Sequence, residues 1–124
     1  MNPSLNVTCQ VLGEQSITVL RLAGRLDANT VSQLERALTD AHISGHRTIV
    51  MDLGELTYIS SSGLRVLLTG RNNARKRKGD ILLCNLRPAV REVLEMVGFS
   101  AIFPIFENLE QAMDAAFAIS NREN

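Results

Sequence analysis

The sequence predicts an α/β domain, a mixed β-sheet packed with about four helices. Three observations predict it. Short, nearly continuous apolar runs at residues 48–53 (TIVMDL) and 81–86 (ILLCNL) read as strands covered on both faces. Each is followed by apolar residues at helical spacing, the βαβ arrangement that forces neighbouring strands parallel. The first two strand patterns are instead separated only by Gly13-Glu14-Gln15, a hairpin turn that makes them antiparallel.

Taken in order, residues 5–12 set Leu5, Val7, Cys9 and Val11 against Asn6, Thr8 and Gln10, the period-two pattern of a half-buried strand. Residues 17–23 return as the second strand, and residues 24–27 form a loop. Thr30 opens a helix as its N-cap, with Gln33 completing a capping box. Val31, Leu34, Leu38 and Ala41 form the buried stripe, and Gly45 ends the segment. After the strand at 48–53, residues 54–59 connect into Ser60-Ser61-Ser62-Gly63. The helix that follows turns Leu64, Leu67, Leu68 and Ala74 inward, fades into the basic run at 75–78 and stops at Gly79.

Beyond the strand at 81–86, Pro88 suits a helix's first turn, where its missing N–H costs nothing. Val90, Val93, Leu94 and Val97 face inward there, and Gly98 is a ready left-handed cap. Residues 103–106 form a short edge strand. Asn108 caps a last helix with Leu109, Ala112, Met113, Ala116 and Phe117 inward, and the tail at 121–124 frays.

The 124 residues make one domain spanning 1–124, with its core at about 5–119. A chain of this length holds a core without a disulfide or metal. Thirteen basic and 13 acidic side chains cancel, which excludes direct nucleic-acid binding and a polybasic membrane surface. Cys9 and Cys84 lie in apolar strand-like runs and read as buried free thiols of a reducing compartment. With no apolar run of spanning length and no leader pattern after Met1, the expectation is a cytoplasmic chain without membrane insertion. A monomer is expected, since no long apolar edge or coiled-coil seam is visible.

Catalytic chemistry finds no footing. His42 and His46 have no Cys, Asp or Glu partner at ligand spacing and read as loop histidines, so no metal is expected. The serine triplet is not a G-x-S-x-G elbow, and a hydroxyl without a base is a poor nucleophile, so no enzyme is expected. Neither phosphate-binding glycine motif is present, and no cofactor is expected. Arg71, Arg75, Lys76, Arg77 and Lys78 read as a solvated helix end whose cations complement the helix dipole. By itself the triplet Ser60-Ser61-Ser62 supplies an N-cap.

Its context says more. Val50-Met51-Asp52-Leu53, then Leu56-Thr57-Tyr58-Ile59-Ser60-Ser61-Ser62-Gly63-Leu64-Arg65-Val66-Leu67-Leu68, resembles the signature of the STAS family, the anti-sigma factor antagonists. Gly24-Arg25-Leu26-Asp27 is similar to the family's G-x-L-D loop after its second strand. Asn85-Leu86-Arg87-Pro88-Ala89-Val90 resembles the entry to its third helix, and Val97-Gly98-Phe99 with Phe103-Pro104-Ile105-Phe106 resembles the exit. The resemblance implies a single STAS-like domain and a noncatalytic partner-switching protein. Its unphosphorylated form would bind a GHKL-type serine kinase that doubles as anti-sigma factor, and a PP2C-type phosphatase would reverse the kinase's modification.

Carried onto this chain, the acceptor is Ser61, with Ser60 or Ser62 as the lesser alternatives. Asp27, Tyr58, Ser60, Ser62, Gly63, Leu64 and Arg65 would contribute to the docking face. Ser60 departs from the best-known antagonists, which carry Asp there, although serine also occurs in the wider family. A competing implication is an accessory STAS subunit of another regulatory system or of a lipid-transport complex.

The physical expectation is that Ser61 Oγ caps the helix when bare, and that a phosphate there adds about −1.5 to −2 charges at a site already rich in amide donors. Leu64 and Leu67 anchor the helix, and Gly63 admits a partner's backbone. Tyr58 and Ile59 are either exposed apolar contacts or parts of the core.

Overall fold

The computed structural model describes residues 4–12 and 17–122. β1 (Leu5–Leu12) and β2 (Ile17–Leu26) pair antiparallel, and β3 (Thr48–Ile59), β4 (Asp80–Cys84) and β5 (Ile105–Phe106) follow in parallel. The five strands lie in chain order across one sheet. The helices are α1 (Val31–Ile43), α2 (Ser61–Lys76), α3 (Pro88–Met96) and α4 (Leu109–Arg122), with a 3-10 turn at Phe99–Ala101. This is the predicted mixed sheet; the hairpin turn at Gly13-Glu14-Gln15 lies outside the described residues.

Two apolar layers hold it together. On one side of the sheet, Leu20, Leu22, Met51, Leu53, Ile81 and Leu83 meet Leu34 of α1, Leu67 of α2 and Leu94 of α3. On the other, Ile17, Val19, Val50, Leu82 and Cys84 meet Ala112 and Ala116 of α4. Leu34 and Leu94 are fully buried, each worth about 1.5–3 kcal/mol. Asn108 Oδ1 accepts the Gln111 N–H at 2.9 Å, the predicted cap of α4. Asn108→Ala should lower stability by about 1 kcal/mol in urea unfolding.

β2 and β3 run further than their alternation suggests, whereas β4 stops at Cys84 and β5 holds only Ile105 and Phe106. β3 continues to Ile59, and β2 takes in Gly24, Arg25 and Leu26, which the sequence places in a loop. The reason is irregular pairing. From Arg21↔Asp52 to Leu26↔Ile59, β3 advances seven residues against five on β2, with shifts between Arg21 and Ala23 and between Gly24 and Arg25. Each extra residue turns the following side chains to the other face. Leu53, Leu56 and Ile59, three apart, are therefore all buried, a spacing that imitates the end of a strand.

Local expectations change elsewhere too. Thr30 precedes α1 but makes no side-chain cap, so the capping box with Gln33 does not form. The Thr30 hydroxyl instead donates to the Arg25 carbonyl at 2.8 Å and accepts the Asp27 N–H at 2.9 Å, binding the loop to itself. Cys84 is buried, but Cys9 is exposed, because β1 is a sheet edge and the core takes in Leu5 and Val7 while leaving Val11 outward. The basic run is only partly a solvated helix end: Arg71 and Arg75 fold back onto buried Asp80. α2 ends through left-handed Lys78, and Gly79 is needed for a different reason, since a Cβ there would fall 1.9 Å from the Arg47 carbonyl oxygen. Asn121 and Arg122 belong to α4 instead of a frayed tail.

Candidate functional site

The site lies where β2 and β3 leave the sheet together. Leu26 and Ile59 are register partners, and the Ser60 N–H extends the ladder by donating to the Leu26 carbonyl at 2.9 Å. Asp27 and Ser60 therefore emerge side by side, each at the start of a connection. On the Ser60 side the connection is α2 itself.

Ser60, not Ser61, is the cap of that helix. Its backbone is extended and its Oγ accepts the Gly63 N–H at 3.3 Å. Ser61 is the first helical residue and is exposed; Ser62 is half-buried. The first intrahelical bond runs from the Leu64 N–H to the Ser60 carbonyl at 2.9 Å, so the amides of Ser61 and Ser62 precede it. Ser60→Ala should destabilise the protein by about 0.5–2 kcal/mol, while Ser60→Asp should match or exceed the parent because a carboxylate cap also meets the positive helix end. Urea unfolding of both variants checks the order.

Gly63 faces the protein's own interior. A Cβ built there would lie 2.8 Å from Leu26 Cγ and 2.9 Å from Ile59 Cγ1. The missing side chain thus lets the first turn of α2 sit flush on the strand ends, and the idea that it admits a partner's backbone is corrected by its burial. Ile59 is core. Leu64 packs in part against that core and Leu67 wholly, as their spacing requires. Tyr58 is exposed and Arg65 points outward.

Arg25 is the residue that sequence reasoning missed. It is the register partner of Tyr58, and its guanidinium carbon sits 4.0 Å from the tyrosine ring centroid. Its Nε lies 3.6 Å from Asp27 Oδ2, while Asp27 Oδ1 accepts the Asn29 N–H at 3.0 Å. Asp27 therefore builds its own loop and orients Arg25 over Tyr58. Only the register of β2 on β3, hidden by the irregular pairing, would have brought Arg25 and Tyr58 together.

A second cluster holds the bulged part of β3 in place. Asp52 Oδ1 accepts the Gly54 N–H at 3.0 Å and the Asn85 side-chain amide at 3.1 Å, and Arg21 Nε lies 3.4 Å from Oδ2. Arg87 Nε donates to the Gly54 carbonyl at 2.8 Å. Asn85 adopts a left-handed conformation, φ 60°, to make this turn. The Asn85–Arg87 turn thus ties down β3 at Asp52 and Gly54. Burial pushes the neighbouring Cys84 thiol up to about 12, with Asp52 adding to the rise and Arg21 opposing it. The thiol donates to the Met51 carbonyl oxygen, 3.6 Å from Sγ.

Both histidines are half-buried. His46 Nδ1 lies 2.6 Å from Thr18 Oγ1, and desolvation, then Arg77, holds the His42 imidazole below its ordinary value. Among the described residues no three His, Cys, Asp or Glu side chains could share a metal ion, and no helix is long and apolar enough to cross a membrane.

The pattern of the STAS domain matches residues 8–112. A Bordetella bronchiseptica protein described as a candidate anti-sigma factor antagonist, BtrV, is 45% identical over 96 residues, which is 77% of this chain and 82% of that protein. The anti-sigma F factor antagonist of Paenibacillus polymyxa is 29% identical over 118 residues, 94% of this chain and the whole of that one. Among solved structures, the antagonist SpoIIAA in its unphosphorylated form superposes with a TM-score of 0.79 at 23% identity, covering 91% of this chain and 97% of its own. The sheet order, the capped serine segment and these matches agree: the chain belongs to the STAS family.

Proposed function

We propose that this protein is an anti-sigma factor antagonist that works by partner switching. Its unphosphorylated form binds a GHKL-type serine kinase that is also an anti-sigma factor, freeing the sigma factor. Phosphorylation of Ser61 ends that binding, and a PP2C-type phosphatase restores it. The protein acts as a noncatalytic cytoplasmic monomer.

The observation that carries this reading is the setting of Ser61. It is an exposed hydroxyl at the first helical position of α2, held by a cap that it does not itself supply. Exposed Tyr58 and Arg65 and the Asp27 loop lie around the same end of the sheet. The relatives' being anti-sigma factor antagonists supports the sigma-factor pathway, and the existence of SpoIIAA in unphosphorylated and phosphorylated forms fits a modifiable serine. Kinase action transfers the γ-phosphoryl group of ATP to Ser61 Oγ. The Oγ–P bond forms, the bond from γ-phosphorus to the bridging oxygen breaks, and ADP and the hydroxyl proton leave.

The test is incubation with the GHKL-type kinases of the source organism, followed by intact mass and site mapping. One phosphate on Ser61 is expected, with Ser61→Ala retaining kinase binding and Ser61→Asp losing it. Absence of phosphate from Ser60, Ser61 and Ser62, together with equal binding by both variants, overturns the proposal.

A further inference from the structure

We infer that Arg65 is the intramolecular counter-ion of phosphorylated Ser61. Modification then does two things to the docking face: it adds a dianion and withdraws a cation that the bare protein offers to its partner. The inference deepens the switch proposed above and rests on it.

Spacing supplies the first argument. Ser61 and Arg65 both lie on α2, four residues apart, so they are neighbours on one face of the helix. Helical side chains lean toward the N-terminus, which brings the guanidinium back over the first turn, and an anion placed four residues before a cation is the favourable order. A phosphoryl group on Oγ and the guanidinium can meet without backbone movement.

Availability supplies the second. Arg65 is exposed and, among the described residues, makes no ion pair or hydrogen bond. It borders an open groove of about 260 Å³ between α1 and α2, whose lining also includes Glu35 of α1. Arg25, the other arginine at this end of the sheet, is already engaged by the Tyr58 ring and the Asp27 carboxylate. The cap residue adds a third argument. Because Ser60 is neutral, the cap itself adds no carboxylate beside the phosphate, and the neighbouring Asp27 carboxylate is engaged by Arg25 Nε at 3.6 Å and by the Asn29 N–H at 3.0 Å.

The experiment places phosphoserine at position 61 of the full chain by genetic encoding and follows its second ionisation by phosphorus NMR. Arg65 favours the dianion and so lowers that pKa. Arg65→Gln should raise it by about 0.2–0.4 pH unit, whereas Arg65→Lys should stay within about 0.1. Lys76→Gln, at the far end of α2, should leave it in place, and the Gln effect should fade at about 0.5 M salt. Identical titrations for the parent and Arg65→Gln overturn the role of Arg65, even where mapping confirms Ser61 as the acceptor. A kinase that modifies another residue overturns the switch itself, while the titration still judges the charge pair.

Discussion

Phosphate on Ser61 is expected to weaken binding of the cognate kinase by about 10²- to 10⁴-fold and to leave the fold as it is. Two opposing effects set this range. A dianion at a helix N-terminus gains about 0.3–2 kcal/mol from the dipole, too little to remodel a packed domain. Desolvating the same dianion in a docked interface costs up to several kcal/mol unless the partner supplies a counter-charge. A complete exchange from 99:1 bound to 1:99 needs about 5.5 kcal/mol, which the interface can approach and the dipole cannot. The cap strengthens the argument for an unchanged fold: Ser60 holds the Gly63 amide, so modifying Ser61 removes no bond that fixes α2. Calorimetric titration of both forms gives the affinity ratio. Amide spectra should superpose away from the first turn of α2; shifts spread through β4 or α4 would sink the surface-charge mechanism.

The largest stability effect is expected at Asp80, near the C-terminal end of α2. Its carboxylate is buried, with Oδ1 accepting the Ile81 N–H at 2.8 Å. Arg71 Nε approaches Oδ1 at 3.1 Å and Arg75 Nη1 approaches Oδ2 at 3.5 Å. Arg71 Nε is itself buried and finds no aligned hydrogen-bond acceptor, so the attraction of Asp80 is what offsets its desolvation. Asp80→Ala should therefore cost about 3 kcal/mol, because it leaves the buried Nε of Arg71 without its counter-charge and the Ile81 N–H without its acceptor. Arg75→Ala should cost less than about 1 kcal/mol, since that side chain is 60% exposed and solvent screens its charge. Urea unfolding of the two variants separates them, and comparable small losses would contradict the assignment.

Much of this molecule is legible in its residues. Short apolar runs followed by helical stripes dictate parallel strands, because only a crossover helix can return the chain to the same end of the sheet. The stripes of α1 and α2, the Pro88 start of α3 and the Asn108 cap of α4 are local chemistry, set by neighbours a turn away. The serine segment before α2 is equally local, and its resemblance to the STAS family extends along nearly the whole chain.

What only the tertiary structure decided depends on partners distant in sequence. The irregular pairing of β2 with β3 carried both strands to Leu26 and Ile59, which no alternation rule over either strand alone could show. That pairing stacks Arg25 on Tyr58 and seats Gly63 against Leu26 and Ile59. It also directs the Ser60 amide to the Leu26 carbonyl, so that Ser60 serves as the cap and Ser61 is free outside it. A run of hydroxyls names the place where a helix begins. Which hydroxyl holds the helix and which one is left exposed depends on the register of the strand beneath it.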